Sequence, residues 1–488
     1  MKFLKDKHTK IFLVIAVLAF AIRFANISWG IDPNIDHYSQ MPDEPYSYES
    51  AFNIHPLQGQ FDPGNWALLK GTFYYQTVGL LNDVKEIFIS TNPELSPQQV
   101  YYNNVRFGRF ISILFSIGTI FLIYLLSNLI FKNRKTGLVA SAIYALITYE
   151  IHYSAVVGPD IMLTFLVMLT IYYSVKAQEK RKYILIAALC SGLATSTKFP
   201  GIIATLPVIA SYFLLRTKTE RFTNIGKNFL KNTAAFFAGL IIGMPSILFK
   251  SKELFAGIKS QIAYQTGINL PTEDQLPNII YYFTNVFIHS TGILFTLAII
   301  ASTYYFIKKY RKQNQCKIIL AFLIPYFISI SFASSASEHY ILPISPIIAI
   351  MIAVALVAIM QKREKIGIAV LTIFFAFNSL ILYNFLELRG QTFVTEQFQA
   401  YEEQELKLSK KEAEIVFIHR WDDRVTYPIE NNFANYTGKL SQIEKSPTVP
   451  IPSQYVLISD YNFKHYRRVG NENMITFLDR LENSDEFK

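Results

Sequence analysis

Apolar residues in this chain gather into long blocks separated by short polar turns. The blocks are about 15–25 residues long, the length needed to cross a hydrocarbon core of roughly 30 Å. They run Ile11–Ser28, Phe110–Ile130, Gly137–Val157, Ile161–Val175, Tyr183–Thr197, Gly201–Leu215, Thr233–Phe249, Ile279–Ile307, Ile318–Ala333, Tyr340–Met360 and Ile366–Phe385. Lipid offers no partner for an open backbone group, so such blocks are expected to be helical. The pattern predicts a mainly α, polytopic membrane protein with about eleven crossings. Two blocks, Ile161–Val175 and Tyr183–Thr197, are short, which leaves the count open by one.

Two stretches are too long for turns. Residues 29–109 separate the first crossing from the second, with apolar periodicity in Tyr46–Leu57 and Trp66–Leu81. This predicts short amphipathic helices along the membrane surface, with Trp66, Phe73, Tyr74 and Tyr75 at the interface. The second stretch is 386–488. It opens with a charged helical segment, Phe398–Lys411, and continues with strand-like runs Glu414–Ile418 and Tyr455–Ile458 around a turn region rich in Asn and Pro. It ends in a helical segment, Met474–Leu481. That reads as a small α/β domain tethered to a transmembrane domain of residues 1–385.

Charge orients the blocks. Lysines and arginines cluster at Lys2–Lys10, Lys132–Lys135, Lys176–Lys182, Arg216–Lys231, Lys308–Lys317 and Lys362–Lys365. All of these fall on the side of the N-terminus. The opposite turns carry few cations apart from Lys198 and the stretch Lys250–Lys259. The positive-inside rule then predicts a cytoplasmic N-terminus, with residues 29–109 and 386–488 on the extracytoplasmic side of the cell membrane. The net charge of +10 is thus a topology signal spread over loops, which disfavours a nucleic-acid surface. A cleaved signal peptide at the first block is disfavoured, because its removal would upset the alternation of loop charge. Two cysteines, Cys190 and Cys316, give neither a disulfide nor a metal site.

The candidate chemistry lies on the predicted outer side. Asp43 and Glu44 stand in the first outer loop, and Asp160 at the start of the fourth crossing. Lys198 lies between the fifth and sixth crossings, Arg106 and Arg109 at the start of the second, and Glu338, His339 and Tyr340 before the tenth. Cations there suit a lipid phosphate, and an acid beside them suits proton removal from a hydroxyl or amine. Each group also has a structural reading. Asp43 and Asp160 are good helix caps, with Pro45 suited to a first turn. Lys198 and Arg109 are ordinary interfacial anchors, and His152 an ordinary hydrogen-bonded helix histidine. Arg23, near the outer end of the first crossing, is expected to snorkel, since mid-membrane it would cost about 2.5–3.5 kcal/mol.

Four stretches resemble the GT-C membrane glycosyltransferases of the dolichyl-phosphate-mannose protein mannosyltransferase and lipid A aminoarabinose transferase superfamily. They are Asp43-Glu44; Arg109 to Ile113 through Phe131 to Val139 to His152–Asp160; Gly192–Gly201; and His339–Pro346. The resemblance implies a polyprenyl-phosphate-linked sugar as donor, a protein, lipid or glycan acceptor, extracytoplasmic chemistry and inversion at the anomeric carbon. It leaves a divalent metal open and implies no resident metal ligands. Carried over, Asp43 matches the base, Glu44 its neighbour, and Asp160 the second acid. Lys198 and Arg109 match cations near the donor phosphate, joined by His339 and Tyr340, with His339 where relatives often have Arg. The Trp-Trp-Asp-Tyr-Gly run of an oligosaccharyltransferase catalytic subunit is not seen. A polytopic lipid or sugar transporter, or a flippase, is the alternative. It would show broken helices in mid-bilayer.

Overall fold

The computed structural model describes residues 6–390 except 32, 34–38, 40, 42, 89–94, 216–221, 266–277 and 334–335, and beyond them only 414–418, 435–436, 455–458 and 476. The helices are α1 (Lys7–Ala25), α2 (Glu44–Phe52), α3 (Gly64–Lys70), α4 (Phe73–Phe88), α5 (Pro97–Phe131), α6 (Arg134–Ala145), α7 (Thr148–Ser154), α8 (Asp160–Lys176) and α9 (Tyr183–Thr197). They continue with α10 (Thr205–Leu214), α11 (Phe222–Gly243), α12 (Ser251–Gln265), α13 (Asn278–Tyr281), α14 (Ile293–Tyr310), α15 (Asn314–Ser331), α16 (Ser345–Lys362) and α17 (Glu364–Gly390).

Local chemistry sets the ends. Asp6 caps α1 through the amide of Thr9 and also meets Arg134 at the start of α6, at 2.7 Å. α5 opens on a capping box of Ser96 and Gln99 with Pro97 in its first turn, and it closes on Lys132 in the left-handed region at φ 51°. It is 35 residues long and begins well ahead of the predicted crossing, because this box starts the helix inside the first loop.

Five described helical segments are long and apolar enough to cross a membrane: Lys7–Ala25, Pro97–Phe131, Asn314–Ser331, Glu338–Lys362 and Glu364–Leu386. α16 is the central one and is buried along nearly all its length, whereas α1 and α17 lie outermost. Val17, Leu18 and Ile373 are more than half exposed there, a surface suited to lipid rather than water. α9 and α11 pack backbone to backbone. A Cβ on Gly192 would collide with Phe236 O, and one on Gly239 with Leu189 O. Close approach through small residues is how helices associate where lipid removes the hydrophobic drive.

Four expectations change. The third predicted crossing is broken at Leu146-Ile147 into α6 and α7. There the freed carbonyl of Ala145 accepts from the Arg23 guanidinium at 3.1 Å. Arg23 therefore does not snorkel. It is wholly buried and donates also to Ser116 Oγ at 2.8 Å. The eighth predicted crossing is likewise broken, into α13, a π-helical stretch Tyr282–Thr291, and α14 after Gly292 at φ 85°. Finally, Tyr74 and Tyr75 are fully buried rather than interfacial, and α4 exposes Ile87 and Phe88 instead.

Beyond α17, β1 (Glu414–Ile418) pairs in parallel with β2 (Asn435–Tyr436) and with β3 (Tyr455–Ile458), in the order β2-β1-β3. The expected helical segments Phe398–Lys411 and Met474–Leu481 lie outside the described residues, apart from Thr476.

Candidate active site

α8 begins at Asp160 and runs to the basic turn at Lys176. α9 returns from that turn to Lys198, and α16 runs from the His339 turn to Lys362. The acids and cations singled out in the sequence therefore share one end of the bundle, opposite the basic turns.

A backbone junction builds the centre of this end. Gly71, at φ 131°, lies where a Cβ would come within 2.6 Å of Thr197 O, so only glycine lets the α3–α4 corner approach the end of α9. The corner is then locked by Thr72, whose amide donates to Ser196 O at 2.7 Å and whose hydroxyl donates to Gly243 O at 2.9 Å. Lys70 and Lys198 flank this junction and feel each other's charge.

Each lysine holds one of the candidate acids. Lys70 Nζ donates to Asp43 at 2.6 Å and Lys198 Nζ to Asp160 at 2.6 Å. Asp43 precedes α2 but makes no side-chain capping bond, and Asp160 follows Pro159, which holds the cap position. Neither acid is thus used as a cap. Lys198 also lies over the Tyr340 ring at 5.5 Å, a cation–π distance. His339 lies within electrostatic range of all four charges, accepts or donates a 2.7 Å bond with Ser337, and packs on Tyr153. Tyr75 is buried beneath, close to both acids.

Burial works against the charge on Asp160, yet Lys198 and then His339 outweigh it and hold the carboxyl below its ordinary range. Burial also works against Lys198, but Asp160 and Tyr340 more than restore it, and the ammonium is raised above its ordinary value. Lys70 goes the other way. Burial lowers it, and the neighbouring Lys198 charge adds to that, despite Asp43. As pH rises, Lys70 is the first of the two to lose its proton. The two acids thus already face two ammonium groups. Each ammonium occupies one carboxylate oxygen of its partner, Oδ2 of Asp43 and Oδ1 of Asp160.

The structure does not bring Glu44 and Arg109 into this cluster. Arg109 Nε and Nη2 grip Glu44 at 2.8 and 2.5 Å, and both side chains are wholly buried. Glu44 also accepts from Ser39 Oγ at 2.5 Å and from the Val157 amide at 2.7 Å. Arg109 Nη1 donates to Ile27 O at 3.0 Å and Trp29 O at 2.6 Å. All three guanidinium nitrogens donate into protein and the side chain is wholly buried, so Arg109 is not presented to a lipid phosphate. His152 packs among Trp29, Tyr153 and Phe385 rather than at the acids.

Sequence reasoning passed over Lys70 and set Tyr75 at the membrane interface rather than under the acids. A lone lysine after Ala67-Leu68-Leu69 reads as the polar edge of an amphipathic helix. Only the glycine that follows it hints at a tight corner.

Residues 99–249, from the start of α5 to just past α11, match the family model described as dolichyl-phosphate-mannose-protein mannosyltransferase. No curated protein matches the whole sequence at a significant level. Among solved structures the chain is similar to the archaeal oligosaccharyltransferase AglB from Archaeoglobus fulgidus, in complex with an inhibitory peptide and a dolichol-phosphate. The TM-score is 0.55 at 14% identity, over 88% of this chain and 64% of AglB. It is also similar to ArnT from Cupriavidus metallidurans bound to undecaprenyl phosphate, with a TM-score of 0.52 at 12% identity, over 93% of this chain and 94% of ArnT.

The chain has the GT-C membrane fold.

It is a multi-pass membrane protein, and it spans about two thirds of the length of AglB and nearly all of ArnT.

Proposed function

We propose that this chain is an integral-membrane glycosyltransferase that moves a sugar from a polyprenyl-phosphate donor to a hydroxyl-bearing acceptor, with inversion, on the extracytoplasmic face. The observation that carries the reading is the cluster of Asp43, Lys70, Asp160 and Lys198 at one end of an apolar bundle. The fold match to proteins solved with dolichol-phosphate and undecaprenyl phosphate supports the donor class.

In the proposed reaction the acceptor oxygen forms a bond to the anomeric carbon as the bond from that carbon to the phosphate oxygen breaks. The acceptor proton passes to the Asp43 carboxylate, which is half exposed at 48% and so within reach of an entering group. The electron pair of the broken bond leaves with the polyprenyl phosphate. Its developing charge is met by the Lys70 and Lys198 ammonium groups. Asp160 orients Lys198, and His339 and Tyr340 line the same end. Arg109 is reassigned from donor binding to holding Glu44, which in turn fixes the start of α2 and therefore Asp43. Residues 386–488 are read as an extracytoplasmic α/β domain that contains the parallel strands β1 to β3.

Transfer of a labelled sugar from a polyprenyl-phosphate donor by the purified chain in lipid tests the reading; sugar retained on the donor with every acceptor class would end it. Orientation is tested separately. A cysteine at Asn53 is expected to react with an impermeant thiol reagent in sealed cells, and one at Asn314 is not. Cys190 and Cys316 are both buried and give little background.

Transport is a second reading, because α6–α7 and α13–α14 are both broken and meet where Thr148 donates to Ser290 O. Movement of donor lipid across vesicles without sugar transfer would favour it.

A further inference from the structure

His55, Asp83 and Glu86 lie apart from the proposed reaction centre, on the turn after α2 and on the last turns of α4. Their placement has a definite cause. Gly79 sits where a Cβ would come within 2.6 Å of Ile54 O and 3.0 Å of Ala51 O, so the absence of a side chain there seats the end of α2 directly on α4. Residues 79, 83 and 86 are spaced four and three apart and share one helix face. The residue following Ile54, His55, is thereby carried over Asp83 and Glu86.

One ring nitrogen of His55 and one carboxylate oxygen from each acid all lie within 4.8 Å of one another. His55 Nδ1 is 2.7 Å from Asp83 Oδ1, and the Leu57 amide donates to Asp83 Oδ2 at 3.0 Å. A second observation points the same way. Asn82 is 2% exposed, its Nδ2 donates to Glu86 Oε1 at 2.8 Å, and its Oδ1 has no hydrogen-bond partner. A buried carbonyl oxygen without a donor, on a side chain touching one of the three converging ligands, is a polar group that a bound ion or an ordered water would satisfy.

We propose that His55, Asp83 and Glu86 bind a divalent cation that clips the turn after α2 to α4. The mixed imidazole and carboxylate set selects zinc, since magnesium and calcium prefer oxygen throughout. Asn82 Oδ1 is available as a further ligand after rotation of its carboxamide. The role is structural: the ion would fix the far end of the helix whose near end carries Asp43. The site does not depend on the proposed transfer reaction, and its test does not use that reaction as a readout.

The full chain, purified without a histidine tag and stripped with a chelator, is titrated calorimetrically with zinc chloride and, separately, magnesium chloride. Hydrogen exchange of residues 55–60 and 79–88 is followed in parallel. One zinc per chain is expected, bound at least 100-fold tighter than magnesium, with slowed exchange in both segments. Asp83 is buried and its replacement is a risk to folding, but Glu86 is exposed. Glu86→Gln and His55→Gln are each expected to weaken zinc about tenfold or more. Unchanged zinc affinity in both variants, or zinc binding without protection of these segments, overturns the proposal.

Discussion

Asp43 and Glu44 adjoin in sequence, yet one opens onto a cluster of paired charges and the other is sealed in protein. Glu44 sits at the first turn of α2, gripped by a two-pronged arginine, a serine and a backbone amide, at 0% exposure. Asp43 meets a single lysine and keeps 48% of its side chain accessible. About 100° of rotation per helical residue is enough to send two adjacent carboxylates into different surroundings. The same chemical group thus becomes a joint when all its lone pairs are satisfied, and a reagent when some are left for a visitor.

The sharpest way to break this contrast is at the joint. Arg109→Ala leaves a wholly buried carboxylate unpaired, which is expected to cost about 3–5 kcal/mol and to abolish the folded protein or lower its yield and melting temperature severely. If Arg109→Ala instead folded normally and only weakened donor use, the buried joint would have to be redrawn as a phosphate site. At the other carboxylate, Asp43→Asn is expected to preserve folding while lowering transfer by about 10²–10⁴-fold. Asp43 makes no side-chain capping bond for the change to break, so normal transfer by this variant would return Asp43 to a plain structural position.

Smaller effects belong to the lysines. Lys70→Ala and Lys198→Ala are each expected to weaken donor use by roughly tenfold or more, the loss of one charge-assisted bond to phosphate, with the protein folded. A donor KM unchanged in both would make them anchors. The smallest effect is in pH. Lys70 lies below the ordinary lysine value, so as pH rises its charge is lost earlier than that of an ordinary lysine. Donor binding is expected to fall on the alkaline side, and Lys70→Arg is expected to move that fall to higher pH. An alkaline limb unmoved by Lys70→Arg assigns it to another group.

What the sequence made legible follows from the range of the forces involved. Apolar blocks are local, so most helices were placed near their observed bounds. The strands Glu414–Ile418 and Tyr455–Ile458 were read at their full length for the same reason. The breaks at Leu146-Ile147 and Gly292 depend on distant partners, Arg23 for one and Phe377 with Ile381 for the other, and no local signal gave them. At the site, alternation of loop charge put Asp43, Asp160, Lys198, His339 and Tyr340 at one end, where the structure also has them. Arg109 was misplaced because pairing across 65 residues is invisible to spacing. Lys70 was missed because its meaning comes from Asp43, 27 residues earlier, and from Lys198, beside which the Gly71 corner sets it.

The buried position of Arg23 bears on how the chain is made. Its guanidinium donates to Ser116 and to the carbonyl of Ala145, groups 93 and 122 residues further along. During synthesis from the N-terminus, α1 reaches the bilayer long before either exists. A lone arginine in that setting drives a helix to ride high, with its charge in the headgroups. α1 therefore settles to its final depth only once α5 and α6 have been inserted. Its first position in the membrane and its last are different, and ribosome-bound chains halted before and after residue 145 would hold residue 23 at two depths.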